Sequence, residues 1–222
     1  MPTRRDIFVN GGIYHIFSKS IDKKLVFKNK ELCIEFLNTA NYYKSSTTIR
    51  FSKYKELLND KRIEFEKNII KPRVQILSYC LMPNHYHFLI KQKKDKGIIR
   101  FMADILNSFT RYYNSKNKRK GSVFLTPFRS RKIVSDEQFI HTSRYIHLNP
   151  YSAGLVNTHQ ELIKYPYSSF KEFIYPNRSQ LCNTEPILKM FGDDREKYRE
   201  FALSNAEHQR TLEYLKYTKD YL

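Results

Sequence analysis

VQILSYCLMPNHYHFLIKQ, residues 74–92, is the stretch that decides the fold. Two apolar runs, 74–82 and 85–92, flank a Pro-Asn turn signal and predict an antiparallel hairpin. The second run should be buried, yet it carries His85 and His87 on either side of Tyr86. Side chains two apart on a strand share a face, so the histidines project together and Tyr86 points the other way.

Working outward, GGIYHIFSKS (11–20) alternates apolar and polar residues after a Gly-Gly turn and predicts a first strand. From Lys30, helical spacing of Leu32, Phe36, Ala40 and Tyr43 predicts a helix. Residues 46–73 are charge-rich and read as an insertion, in which KYKELLNDKRIEFEKNII has the composition of a helix with a thin apolar face. On the far side of the hairpin, Ile98, Met102, Ile105, Phe109 and Tyr112 line one face of a helix that Gly121 is placed to end. VFLTPFRSRKIV (123–134) predicts a strand bent or edged by Pro127. Ser135-Asp-Glu-Gln138 has the form of a capping box, and Pro150 should end the helix it opens at Asn149. The order strand, helix, insertion, strand, strand, helix, strand, helix predicts an α+β fold. It is the ferredoxin-like or RRM-like arrangement, an antiparallel sheet with helices on one face, followed by one extra helix. Residues 1–175 read as the main domain and 176–222 as a helical C-terminal extension.

Composition narrows the partners. The 222 residues hold 40 Lys+Arg against 22 Asp+Glu, a formal net charge of +18 that favours polyanions, nucleic acid first among them. No apolar segment approaches a membrane span, and MPTRRDIF has no apolar signal core behind it. Cys33, Cys80 and Cys182 are odd in number and widely spaced, which argues against a disulfide framework. These features predict a cytoplasmic, nucleoid-associated protein.

Two imidazoles on one strand are half of a metal site, but a lone His-x-His is more often a pair of histidines bonded to backbone or water. Imidazole suits transition metals better than Mg or Ca. RYIHLNP (144–150) supplies a complement: Tyr145 and Asn149 are four apart and lie on one helical face. A phenol can act as a covalent nucleophile, and an amide oxygen can face a metal. Taken alone, that segment reads more readily as an ordinary amphipathic helix whose Tyr packs and whose Asn caps its C-terminus.

With both segments in this order, MPNHYHFLI resembles the HUH motif of single-strand-specific tyrosine transposases, and RYIHLNPYSAGLV resembles their nucleophile helix. GGIYHIFSKSIDKKLVF is similar to their opening strand, and GSVFLTPFRSRKIV to the lead-in to the helix. FGDDREKYREF (191–201) is similar to a tail found in the REP-associated branch, some members of which are chromosomal. The resemblance runs from about residue 8 to 170 around the 46–73 insertion. It implies that His85, His87 and Asn149 hold one divalent metal, Mg or Mn. Tyr145 would then cleave single-stranded or hairpin DNA through a 5′-phosphotyrosine and rejoin it, supporting transposition. His141, one turn before Tyr145, is a candidate helper in deprotonating it. Tyr86 between the histidines departs from the commonest pattern, and some relatives carry Gln where Asn149 stands.

Lys116, Lys118, Arg119, Lys120, Arg129, Arg131 and Lys132 cluster around the predicted fourth strand, where they would track a phosphate backbone. Arg4 and Arg5 would form a short DNA-reaching arm. The expected state is a monomer or homodimer. The alternative reading is a non-catalytic RRM-like nucleic-acid-binding protein, which the basic, aromatic surface would suit equally.

Overall fold

A computed structural model describes residues 7–46, 49–67, 70–176 and 181–219. Its framework is a four-stranded antiparallel sheet built from β1 (Ile13–Lys19), β2 (Val74–Met82), β3 (His85–Gln92) and β4 (Arg129–Ile133), in the order β2-β3-β1-β4. The predicted hairpin is present, with Met82 opposite His85 across Pro83-Asn84. Its turn is tied down by its own carbonyls: Pro83 O accepts from the Phe27 N–H at 2.9 Å and Asn84 O from the Ser20 N–H at 2.7 Å.

One sheet face, carrying Tyr14, Ile16, Tyr86, Phe88 and Ile90, is covered by α1 (Lys30–Tyr43) and α2 (Gly97–Lys116). Phe36 centres this core, with ring centroids 5.0 Å from Phe27, 5.1 Å from Phe109 and 5.4 Å from Tyr86. Such pairs add about 0.5–1.5 kcal/mol each beyond the area they bury. Asn29 caps α1 by accepting from the Leu32 N–H at 3.0 Å.

The other face is covered as well. Cys80, Met82 and Leu89 pack beneath α3 (Asp136–Ser152), together with Tyr198 and Ala202 of α4 (Arg195–Leu203) and Ala206 of α5 (Ala206–Lys219). The fold is therefore α+β with an antiparallel sheet, as expected. α1 and α2 share one face, and the extra helix with the C-terminal helices takes the opposite one. Among the described residues, no helix is long and apolar enough to cross a membrane.

Several local expectations are corrected. Pro150 does not end α3, which runs on to Ser152. A proline this close to the end forfeits one helical hydrogen bond, and Leu148, Pro150 and Tyr151 are buried. Gly154 stops the helix instead: at φ +68° it donates to Tyr151 O at 3.0 Å, while Leu155 N–H reaches Pro150 O at 2.9 Å. The capping box is shifted at one corner. Ser135 Oγ accepts from Gln138 N–H at 3.1 Å, but Gln138 Oε1 accepts from Val134 N–H at 2.8 Å, not from Ser135. Nor does Gly121 terminate α2. Lys118 turns left-handed at φ 49°, and the Arg119 N–H bonds Asn114 O at 3.0 Å. The fourth strand begins only after Pro127, at Arg129.

The insertion folds as two short helices, Phe51–Glu56 and Asn59–Lys67, where one was expected, between a small pair of strands, Ser45–Ser46 and Ile70–Pro72. It is anchored to α1 through Phe51 N–H, which donates to Tyr43 Oη at 3.0 Å, and Tyr42 Oη, which donates to Ile49 O at 2.8 Å.

Candidate active site

The sheet register assembles the site. Phe17 lies opposite His87, Lys19 opposite His85 and Arg131 opposite His15, so all of these residues belong to the face beneath α3. Tyr86 points into the opposite core, as the alternation requires.

Four rings converge on His87. His15 lies 5.1 Å away, Phe17 5.8 Å and His85 5.0 Å, and Tyr145 stands edge-on at 5.7 Å between ring centroids. Tyr145 is also 5.9 Å from His15. His87 and Tyr145, 58 positions apart in the chain, thus meet on one sheet face.

Hydrogen bonds orient the imidazoles. His85 Nδ1 is 2.7 Å from Asn84 Oδ1; the amide oxygen can only accept, so Nδ1 carries the proton and Nε2 keeps its lone pair. His87 Nδ1 is 2.9 Å from His15 Nε2. His87 Nε2 is buried and has no hydrogen-bond partner among the described residues. Burial, reinforced by the Lys19 charge, lowers the pKa of His85 to about 4. Burial with Arg131 lowers that of His15 to about 4, and burial with the neighbouring His15, His85 and Lys19 holds His87 well below its ordinary value. All three rings are neutral at physiological pH, the form in which imidazole ligates metal.

These residues fit a divalent cation. A buried nitrogen without a protein partner sits beside a second histidine whose hydrogen bond frees Nε2, an arrangement common around metal-binding histidines. Among the described residues, no group of three or more His, Cys, Asp or Glu is arranged to hold a metal. A third protein donor would therefore be of another type. Asn149 qualifies chemically: its Nδ2 donates to Tyr145 O at 2.7 Å, leaving Oδ1 as its acceptor.

α3 is held from three sides. His147 is fully buried, with Nδ1 2.7 Å from Tyr198 Oη on α4 and Nε2 2.8 Å from Ser169 Oγ. Ser143 Oγ meets the same Tyr198 Oη at 3.0 Å. Gln209 of α5 donates to Tyr145 O at 3.2 Å. His141 is engaged with its own helix and α4: Arg144 Nη2 donates to its Nδ1 at 2.7 Å, and its ring lies 5.5 Å from Phe201. The histidine rings beside Tyr145 are His15 and His87.

The basic residues divide into two groups. Arg129 and Arg131, exposed on the edge strand β4, share the histidine face, whereas Lys132 pairs with Tyr14 on the other. Lys116, Lys118, Arg119 and Lys120 lie at the end of α2, which covers that other face. Lys116 is salt-bridged to Glu31, and Arg119 bonds Asn114 and Ser122 O. Lys118 and Lys120 are exposed. Arg4 and Arg5 lie outside the described residues. Sequence reading passed over His15 and Lys19. The alternation in GGIYHIFSKS put both on one face with Phe17, but not against the histidine strand.

Comparison with known proteins agrees with the resemblance drawn from the motifs. The family described as "Transposase IS200 like" matches residues 47–149, a span just under half the chain that takes in His85, His87 and Tyr145 and ends on Asn149. A solved structure of a REP-associated tyrosine transposase bound to a REP hairpin aligns with a TM-score of 0.55 at 16% identity, covering 82% of this chain and 94% of that one. At that identity the likeness establishes the shared fold. No curated protein matches the chain.

Proposed function

We propose that this chain, similar over 47–149 to IS200-like transposases, cleaves and rejoins single-stranded or hairpin DNA, with Tyr145 as the nucleophile. One observation carries the reading. The Tyr145 ring stands 5.7 Å from that of His87, whose buried Nε2 has no partner among the described residues. The proposed nucleophile and a candidate metal ligand are thus neighbouring rings.

His85 and His87, with Asn149 as third donor, would hold one divalent cation, Mg or Mn. When bound, that ion offsets charge developing on the scissile phosphate and leaving oxygen. Tyr145 Oη attacks phosphorus as the bond to the 3′ oxygen breaks; the phenol loses its proton, and the leaving oxygen gains one. The products are a 5′-phosphotyrosine and a free 3′-OH, and a second 3′-OH reverses the step. Free tyrosine has a pKa of about 10, so loss of the Tyr145 proton would draw on a nearby base or on the charge of the bound cation. Arg129 and Arg131 would hold the strand on this face, with Lys116, Lys118, Arg119 and Lys120 forming a second basic surface and Arg4 and Arg5 an arm. The neighbour's REP hairpin supports a hairpin substrate.

We read residues 1–175 as the catalytic domain, with 176–222 an extension that holds α3. The protein would act in the cytoplasm on chromosomal DNA, as a monomer or homodimer.

The test is incubation with labelled hairpin DNA bearing single-stranded flanks, plus Mn²⁺, followed by denaturing electrophoresis. Wild type should form a covalent adduct that Tyr145→Phe and His85→Ala/His87→Ala lose. An adduct surviving in Tyr145→Phe overturns the nucleophile. Tight DNA binding without an adduct across several hairpins and metals overturns the enzyme reading.

A further inference from the structure

We propose that His15 is a positioning residue for this site: it accepts the Nδ1 proton of His87 and thereby turns the His87 Nε2 lone pair toward a bound divalent cation. The inference rests on the metal-site reading above and extends it to a residue outside the His-x-His motif and the tyrosine helix.

The contact between His15 Nε2 and His87 Nδ1, at 2.9 Å between two buried rings, allows two proton arrangements. If His15 donates, His87 must carry its own proton on Nε2, where the described structure offers no acceptor. A buried donor left without a partner is costly, and a protonated Nε2 cannot bind a cation. If His87 donates, its Nε2 presents a lone pair, and cation binding satisfies that atom. Binding therefore selects the arrangement in which His15 accepts. His85 reaches the same state by another route, through Asn84 Oδ1 at 2.7 Å. Both ligand candidates then have Nδ1 bonded outward and Nε2 left open, the pairing that fixes tautomer and ring direction in metal sites.

Packing alone does not account for His15. Phe17, two residues on, also stacks against His87, at 5.8 Å and 24° between planes, and supplies apolar contact without a hydrogen bond. A phenylalanine at position 15 would keep a ring there but would offer no acceptor for the His87 proton.

The test uses the full chain in three forms: wild type, His15→Phe, which keeps a ring, and His15→Gln, which keeps an acceptor. Side-chain ¹⁵N NMR of the metal-free protein reads which His87 nitrogen carries the proton, and calorimetric titration reads Mn²⁺ affinity. Wild type should show His87 protonated on Nδ1. His15→Phe should weaken Mn²⁺ binding about 10- to 100-fold, the usual effect of losing such a partner, and His15→Gln should recover most of the loss. Wild-type His87 protonated on Nε2 overturns the proposal even if His15→Phe does not fold. Unchanged Mn²⁺ affinity in a folded His15→Phe overturns it while leaving the metal site standing, as does equal loss in both variants. Failure of wild type to bind Mn²⁺ removes the metal-site reading and this proposal with it.

Discussion

Gln209 donates a hydrogen bond to the main-chain carbonyl of Tyr145 at 3.2 Å, so a residue of the last helix touches the backbone of the proposed nucleophile. The same carbonyl accepts from Asn149 Nδ2 at 2.7 Å. Gln209→Ala removes one of two side-chain donors to this helical carbonyl, which should cost about 0.5–1.5 kcal/mol of stability in denaturant titration. If α5 sets the tyrosine's position, adduct formation should slow while hairpin affinity stays unchanged. An unaltered rate at reduced stability would show that α5 only packs.

Arg131 and Lys116 should behave differently toward single-stranded DNA. Arg131 lies opposite His15 on the site face, whereas Lys116, at the end of α2, is already paired with Glu31 of α1. Each phosphate contact to a single strand contributes about 0.7 to the logarithmic salt slope. Arg131→Ala should lower both affinity and slope by one such contact, and Lys116→Ala should change them less. Fluorescence anisotropy across a salt series measures both; the reverse order would move the binding face to the end of α2.

His147 should make the fold acid-sensitive. Burial lowers its pKa from 6.5 to about 3, and both ring nitrogens are bonded, to Tyr198 and Ser169. The unfolded chain takes up this proton at a higher pH than the folded one. The contribution of neutral His147 is thus fully present above the unfolded value and is lost as pH falls from about 6.5 toward 3. The slope is about 1.4 kcal/mol per pH unit for one proton. His15 and His85, both lowered to about 4, add slope of the same sign. His147→Gln should therefore flatten the acid limb of stability against pH by about one proton's share without abolishing it.

Gly97 should not tolerate a side chain. A Cβ there would lie 2.3 Å from Arg73 O, a main-chain atom held while the Arg73 Nε donates to Tyr43 O at 2.8 Å. Gly97→Ala forces α2 away from the sheet, and overpacking of this kind costs about 1–3 kcal/mol. A thermal melt should show a clear drop. A neutral result would mean that the start of α2 shifts freely.

Much of this architecture was legible in the chain itself, because strands and helices write their period into the apolar residues. The hairpin at 74–92, the helix through Phe36 and the burial of Tyr86 opposite His85 and His87 all follow from alternation and spacing. The pairing of a His-x-His strand with a Tyr-x-x-x-Asn helix was visible as motif order. Helix ends were less legible. Pro150 and Gly121 are strong local signals, but burial of Leu148 and Tyr151 carried α3 past the first, and Lys118 ended α2 before the second.

By itself, then, the sequence determined the elements and the face on which each histidine lies, since both depend on neighbours a few residues apart. The ferredoxin-like element order already implied β1 beside β3; only the tertiary structure fixed the register between them. That placement brings His15 to within 2.9 Å of His87, Lys19 opposite His85 and Arg131 opposite His15. It also decided that α4 and α5 reach back to hold the tyrosine helix through Tyr198 and Gln209. Strand register and helix docking are set by long-range burial, and a side chain's local period carries no information about which distant residue it will meet.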